Sequence, residues 1–371
     1  MAVQLKYITR RLEHHFPLNL AESWDNSGLQ LGSFEQLVHK IIVALDVTEE
    51  LIEYAQKEKA DLIITHHPLL FNSVKQIDVD RFPGKYIAAL IQSGIQVYSM
   101  HTNLDAAPQG INQYLAQKLR LNNIRLLAPH QKQPMYKITV YVPLVFEPQV
   151  RAAMHAAGAG KMESYAECSF RSIGQSTFSP QLGAKPFVGQ IGQLEEIDEV
   201  RLEMLASQEN SKAVIAAMLQ AHPYEIPAYD VLELKNYSSE YSLGRVGFLS
   251  EPLVLQDFCA LIKKQLSLTS LRVTGDLNQK VLKIGIVSGA GSSFISEAAR
   301  EGCDVLITGD VKYHEAQEAE RLGLILIDAG HQGTEKFVTE VLFLVLNDEI
   351  KKQEWNLSVK KFQSPELLQT L

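Results

Sequence analysis

Apolar positions along this chain fall in short runs separated by stretches with helical spacing, the alternation expected of an α/β fold with parallel strands. Residues 40–46, 61–65 and 95–100 read as strands, and 5–16, 49–59 and 110–119 as helices, with Thr48 placed to cap the second of them. A comparable series returns near the C-terminus, with strands at 282–288, 304–308 and 324–328 and a helix from about 293 to 300. Setting Asp61-Leu-Ile-Ile-Thr-His-His against Asp304-Val-Leu-Ile-Thr-Gly-Asp matches Asp, Ile and Thr and puts His66 and His67 opposite Gly309 and Asp310. We read a degenerate internal duplication, so the expected fold class is an α/β core of two pseudo-repeated halves.

Between the halves the pattern changes. Strands at 136–142, 165–172, 197–205 and 228–234 and helices at 148–157 and 212–220 follow the order βαββαβ, the ferredoxin-like arrangement. Polar runs at 129–134 and 236–244 mark its flanks. The expected domains are therefore the N-terminal half of the core at 1–130, an insert at 131–236 and the C-terminal half at 237–371.

With 371 residues and 46% hydrophobic content, the chain can bury more than one core. A net charge of −8 without a long basic run argues against nucleic acid as an obligate partner, and an acidic or phosphorylated substrate would need local help from a metal. Cys168, Cys259 and Cys303 are scattered, which suggests neither a thiolate zinc site nor a disulfide framework and fits a reducing, cytoplasmic compartment. Residues 1–11 lack the apolar core of a signal peptide, and no run reaches the roughly 18 apolar residues of a membrane span.

The chemistry concentrates at strand ends, where α/β sheets hold their sites. His66 and His67 end the 61–65 strand, and Pro68 follows them. In a regular strand their side chains would diverge, so two adjacent ions suit them better than one; one core and one surface histidine would be the plain alternative. His101 and Asp105 follow the 95–100 strand in His-Thr-Asn-Leu-Asp. His331 and Glu335 open an amphipathic helix running through Val338, Val341, Leu342 and Val345, a chelating spacing, although a Glu favoured by the helix dipole beside a solvated His reads equally well locally. Together His66, His67, Asp105, His331 and Glu335 form a nitrogen and oxygen donor set suited to zinc, iron or manganese, with a carboxylate available to bridge two ions. The loop Ser288-Gly-Ala-Gly-Ser-Ser293 suits either a phosphate cradle or a tight turn. Lys312, Tyr313 and His314 suit either a pocket wall or a helix surface, His14 and His15 read as surface residues, and Trp24 as packing.

Trp-Asp-Asn-Ser-Gly-Leu at 24–29, Thr-His-His-Pro at 65–68, His-Thr-Asn-Leu-Asp at 101–105, Leu-Gly-Arg-Val-Gly at 243–247 and Gly-His-Gln-Gly-Thr-Glu at 330–335 occur in this order. On these motifs the chain resembles the GTP cyclohydrolase I type 2 homologue family, also called NIF-three-like. The resemblance implies that His66, His67, Asp105, His331 and Glu335 hold two divalent ions with Glu335 bridging them, and that six subunits form a toroidal homohexamer. The insert resembles the trimeric CutA and P-II-like proteins, chiefly through His222-Pro-Tyr-Glu-Ile-Pro227. Two function classes follow. One is a metal-dependent hydrolase acting on a nucleotide-like small molecule, GTP cyclohydrolysis being one case, with His101 or His314 shuttling protons. The other is a non-catalytic, metal-binding regulatory hexamer whose insert senses a ligand or partner.

Overall fold

Two large sheets carry most of the strands in residues 1–130 and 241–371, beside a small antiparallel pair of Val3–Gln4 with Leu37–Val38. The first runs in the order Ser358–Lys361, Lys40–Ala44, Leu62–Thr65, Gln96–Ser99, Gly28–Leu31; its first four strands are parallel and the last is antiparallel. The second runs Arg272–Val273, Ile325–Asp328, Val305–Thr308, Lys280–Ile286, Gly244–Val254, Asn122–Leu127, with parallel pairing among the middle three. This is a computed structural model describing residues 2–128, 131–162 and 164–368. The chain divides into two compact units, Met1–His130 with Tyr241–Leu371, and Gln131–Glu240.

Alternation along the strands explains the layering of the first unit. Ile41 and Val43 join Ile284, Val305, Ile307 and Ile327 in one core with the helices Leu5–His15, Ile111–Lys118, Leu255–Leu266 and Val338–Lys352. The intervening Ile42 and Ala44 face the helices Glu49–Glu58 and Gly84–Ser93, while Leu306 and Leu326 face Ile295–Arg300 and Tyr313–Arg321. Local signals agree: Thr48 Oγ1 accepts the Leu51 amide at 3.2 Å and starts its helix. Asp61 Oδ2 accepts the His39 and Lys40 amides at 2.7 and 2.9 Å, and Asp304 Oδ2 accepts those of Leu282 and Lys283, both at 2.8 Å. Two aspartates matched in the sequence thus tie adjacent parallel strands together in the same way.

The second unit is a four-stranded sheet in the order Tyr229–Tyr241, Gln131–Pro143, Glu195–Ser207, Phe170–Phe178, with helices Glu147–Ala156 and Gln208–Ala221. The strand expected at 165–172 lies instead at Phe170–Phe178. It is an edge strand, mostly exposed, whose polar sequence has no apolar alternation; pairing with Glu195–Ser207 sets its register. The expected linker at 236–244 also differs, because 236–241 continue the last strand of this sheet and 244 begins a strand of the core. Of the other expected flank, 129 and 130 lie outside the described residues, and 131–134 are strand.

Candidate metal centre

The strand Leu62–Thr65 is buried along its whole length and delivers His66, fully buried, at its C-terminal end. Thr65 Oγ1 then donates to the His67 carbonyl at 2.8 Å, closing a turn in place of a continued pleat. The two rings end on one side, with centroids 5.1 Å apart. Each imidazole of the site is held by its Nδ1. His66 uses the Met100 carbonyl at 2.7 Å, His67 uses Asp46 at 2.6 Å, and His101 and His331 use Asp25 and Asp310, each at 2.7 Å. Such backbone and carboxylate partners fix ring orientation and leave Nε2 as the free donor atom, as in metal-ligating histidines generally. Sequence reasoning did not single out Asp25, Asp46 or Asp310. Their signals were present: Asp46 ends the strand at 40–46, Asp25 lies in the Trp-Asp-Asn motif, and Asp310 is the residue matched to His67.

The free atoms converge. Glu335 Oε2 lies 3.0 Å from His67 Nε2 and 2.9 Å from His331 Nε2, and His66 Nε2 lies 3.7 Å from Glu335 Oε1 and 3.6 Å from Asp105 Oδ1. Yet His66 Nε2 and Glu335 Oε2 are buried without an aligned hydrogen-bond partner. Buried polar atoms left so are costly, and lone pairs that aim at common points rather than at each other fit a cation between them. Two groups have donor atoms within 4.8 Å of one another, His66, His67 and His101, and His67, His331 and Glu335. These His/Glu groups could hold a metal ion. Because His67 Nδ1 is engaged by Asp46, its single free nitrogen serves only one ion at a time.

Charge is divided sharply among these groups. Burial alone would raise the pKa of Glu335, but the closeness of His331, His66 and His67 holds it well below the usual carboxylate range. Asp105 goes the other way, raised by burial against the pull of His66. His67 is pushed up to about 10, its burial outweighed by Asp46 and Glu335, and His331 to about 9, first by Glu335 and then, against burial, by Asp310. At Asp25 burial is overcome by His101, Thr102 and Ser27, so the carboxylate sits far below its ordinary value. The shifts all arise from carboxylates and imidazoles pressed against one another, and a cation bound among them would compete with protons for the same atoms.

The site opens into a cavity of 1040 Å³ lined by His67, His101, Asp105, His331 and Glu335 together with Trp24 and Phe71. Trp24 is 58% exposed and makes an edge contact with Phe71 at 6.0 Å, so it forms a rim instead of packing in the core. The 288–293 loop forms one wall, but the amides of Ser288, Gly289 and Gly291 already donate to Asn112, Thr334 and Thr308, which withdraws them from a phosphate. Gly289 is required for another reason: its φ is +61°, and a Cβ there would lie 2.1 Å from Glu335 Oε1. His331 and Glu335 share the short helix His331–Glu335, distinct from the long Val338–Lys352 helix that was expected to include them. His101 is brought to the site. His314 is not: it is exposed on Tyr313–Arg321 beside Gln317 and does not line the cavity. His15 is half-buried and bonded to Glu349 at 3.0 Å, whereas His14 is exposed.

A mixed α/β fold with histidine and carboxylate side chains gathered at strand ends defines a class of protein that could hold a metal ion there. Within that class, the family model for Duf34/NIF3 (NGG1p interacting factor 3) matches residues 3–366, and the chain belongs to this family. A Bacillus subtilis protein named GTP cyclohydrolase 1 type 2 homolog is 40% identical over 351 residues, 94% of each chain. The crystal structure of a Bacillus cereus protein related to NIF3 superposes with a TM-score of 0.85 at 37% identity, covering 99% of this chain and 98% of that one. A Staphylococcus aureus crystal structure gives 0.81 at 31% identity, covering 100% and 99%. The three cysteines are free, and among the described residues no helix is long and apolar enough to cross a membrane.

Proposed function

We propose that this protein is a metal-dependent hydrolase of a small nucleotide-like molecule, with two divalent ions held between two pseudo-repeated halves. The observation that supports this most is the pair of buried, unaligned donor atoms, His66 Nε2 and Glu335 Oε2, at the base of an open cavity. His67 and His331 would hold one ion and His66 and Asp105 the other, with Glu335, an oxygen toward each group, placed to serve both; zinc, iron and manganese all suit these donors. Bound there, such ions supply Lewis acidity and water made acidic enough to ionise near neutral pH. His101, anchored by Asp25, presents Nε2 as a proton-holding group. Trp24 and Phe71 offer exposed aromatic faces on which a base can stack.

The matched roles of Asp61 and Asp304 support the duplication, and the strand order of 131–240 supports a ferredoxin-like insert. Exposed Phe170, Ile173, Leu182 and Leu194 support self-association, for which the family resemblance suggests a hexamer; light scattering should then give six times the chain mass of 41.5 kDa. To test the catalytic reading, metal-replete wild type and His331→Ala are compared across a nucleotide panel. Slow hydrolysis present in the first and abolished in the folded second is expected. Equal residual activity in both, or none in the wild type, would favour the regulatory class.

A further inference from the structure

The insert has a cavity of its own. It measures 270 Å³, and Phe178, Phe187, Tyr224 and Ile226 supply apolar and aromatic lining. Phe178 and Phe187 each lie 6.2 Å from Tyr224, ring centre to ring centre. Glu199, which also lines the cavity, projects from the interior strand Glu195–Ser207 and is only 5% exposed. Its Oε2 accepts from Ser176 Oγ at 2.6 Å, whereas Oε1 and the Tyr224 hydroxyl are buried without an aligned hydrogen bond, although the carboxylate lies close enough to Tyr224, with its burial, to raise the phenol's pKa. The nearby base is already committed, since His222 Nε2 donates to the Tyr141 carbonyl at 2.9 Å and its Nδ1 accepts the Tyr224 amide at 3.1 Å. No ion pair reaches Glu199 among the described residues.

A buried carboxylate whose second oxygen has no well-aligned donor is stabilised by one, above all a charged one. Aromatic faces around it favour a cation with an apolar body. We propose that the insert holds a second small-molecule site, which takes a compact organic ammonium ion: its N–H groups meet Glu199 Oε1 and Tyr224 Oη, and its body packs on Phe178, Phe187 and Ile226. The site lies within one compact unit and does not depend on the metal centre. The sequence segment His222-Pro-Tyr-Glu-Ile-Pro227 supplies part of its wall, which gives this motif a local role.

Calorimetric titration of the full chain with phenethylammonium, and with 2-phenylethanol as its neutral counterpart, tests the site. Saturable binding is expected for the ammonium ion and about tenfold weaker binding for the alcohol, with about a tenfold loss in Glu199→Gln, which keeps the shape and the Ser176 contact. Ala184→Phe, which narrows the cavity without touching the carboxylate, should abolish binding, and His331→Ala should leave it unchanged. The proposal is overturned if binding is absent, if the alcohol binds equally well, if folded Glu199→Gln binds like wild type, or if His331→Ala loses binding.

Discussion

Arg245 is 2% exposed, and among the described residues no carboxylate pairs with it. Its Nη1 donates to the carbonyls of Ser242 and Gly244 at 2.8 and 3.0 Å, and its Nη2 to those of Ala106 and Ala107 at 3.2 and 2.6 Å. Ala106 ends the helix Thr102–Ala106, which carries Asp105. The guanidinium therefore pins the helix that carries Asp105 to the strand Gly244–Val254. Burial pushes its pKa down to about 10, so it remains charged at neutral pH. Arg245→Met keeps most of the volume and removes the donors. Four carbonyls losing partners at about 1 kcal/mol each would cost roughly 4 kcal/mol, and release from desolvating the cation offsets part of this, leaving about 2–3 kcal/mol. The assay is urea unfolding followed by tryptophan fluorescence, because both tryptophans, Trp24 and Trp355, lie outside the insert. With an m-value of roughly 3 kcal/mol/M, the midpoint should fall by about 0.7–1 M. Metal content should fall as well, since Asp105 loses its anchor. An unchanged midpoint with full metal content would show that these carbonyls find other donors and that Arg245 positions nothing.

Glu335→Ala should lose both ions, because its oxygens face both donor groups, whereas His66→Ala should retain one; elemental analysis reads the difference, and two ions per chain in Glu335→Ala would refute the bridge. His222 has its pKa lowered by burial, so the unfolded chain takes up its proton first as pH falls. The stability it contributes is full above the ordinary histidine value near 6.5 and is lost on acidification below it, so thermal melts of the insert should drop from pH 7 to 5 more in wild type than in His222→Gln. Leu127 and Gly244 are paired across antiparallel strands, so replacing 131–240 with a short Gly/Ser turn should leave a folded core that still takes up metal. Insoluble product would show instead that the core needs the insert.

The strands near residues 40–46, 61–65, 95–100, 282–288, 304–308 and 324–328 were legible because each is a short apolar run closed by a polar residue, and so were the residues that gather in the candidate site, because they follow such runs closely. Less legible was what depends on neighbours distant in sequence. The strand Ser358–Lys361 joins the first sheet by pairing with Lys40–Ala44, and its short sequence, with Lys360 and Lys361 side by side, gives no hint of that edge. Arg245 stood in a quoted motif, but a buried guanidinium held only by carbonyls has no local signature.

The orienting carboxylates act in the same way in both large sheets. Parallel strands bring their C-terminal ends side by side, so a histidine ending one strand reaches an acid ending the next. Asp46 does this for His67 from the strand Lys40–Ala44, and Asp310 does it for His331 from the strand Val305–Thr308. Under the proposed duplication, Gly309 and Asp310 occupy the positions of His66 and His67, and both have reasons to differ. A Cβ at Gly309 would lie 2.6 Å from the His331 backbone nitrogen, so glycine is what lets the helix His331–Glu335 approach the strand end. Asp310 then aims His331 instead of ligating. On that reading, one half carries the paired imidazoles, and the other carries Gly309 and Asp310 in their place and so admits the helix with His331 and Glu335.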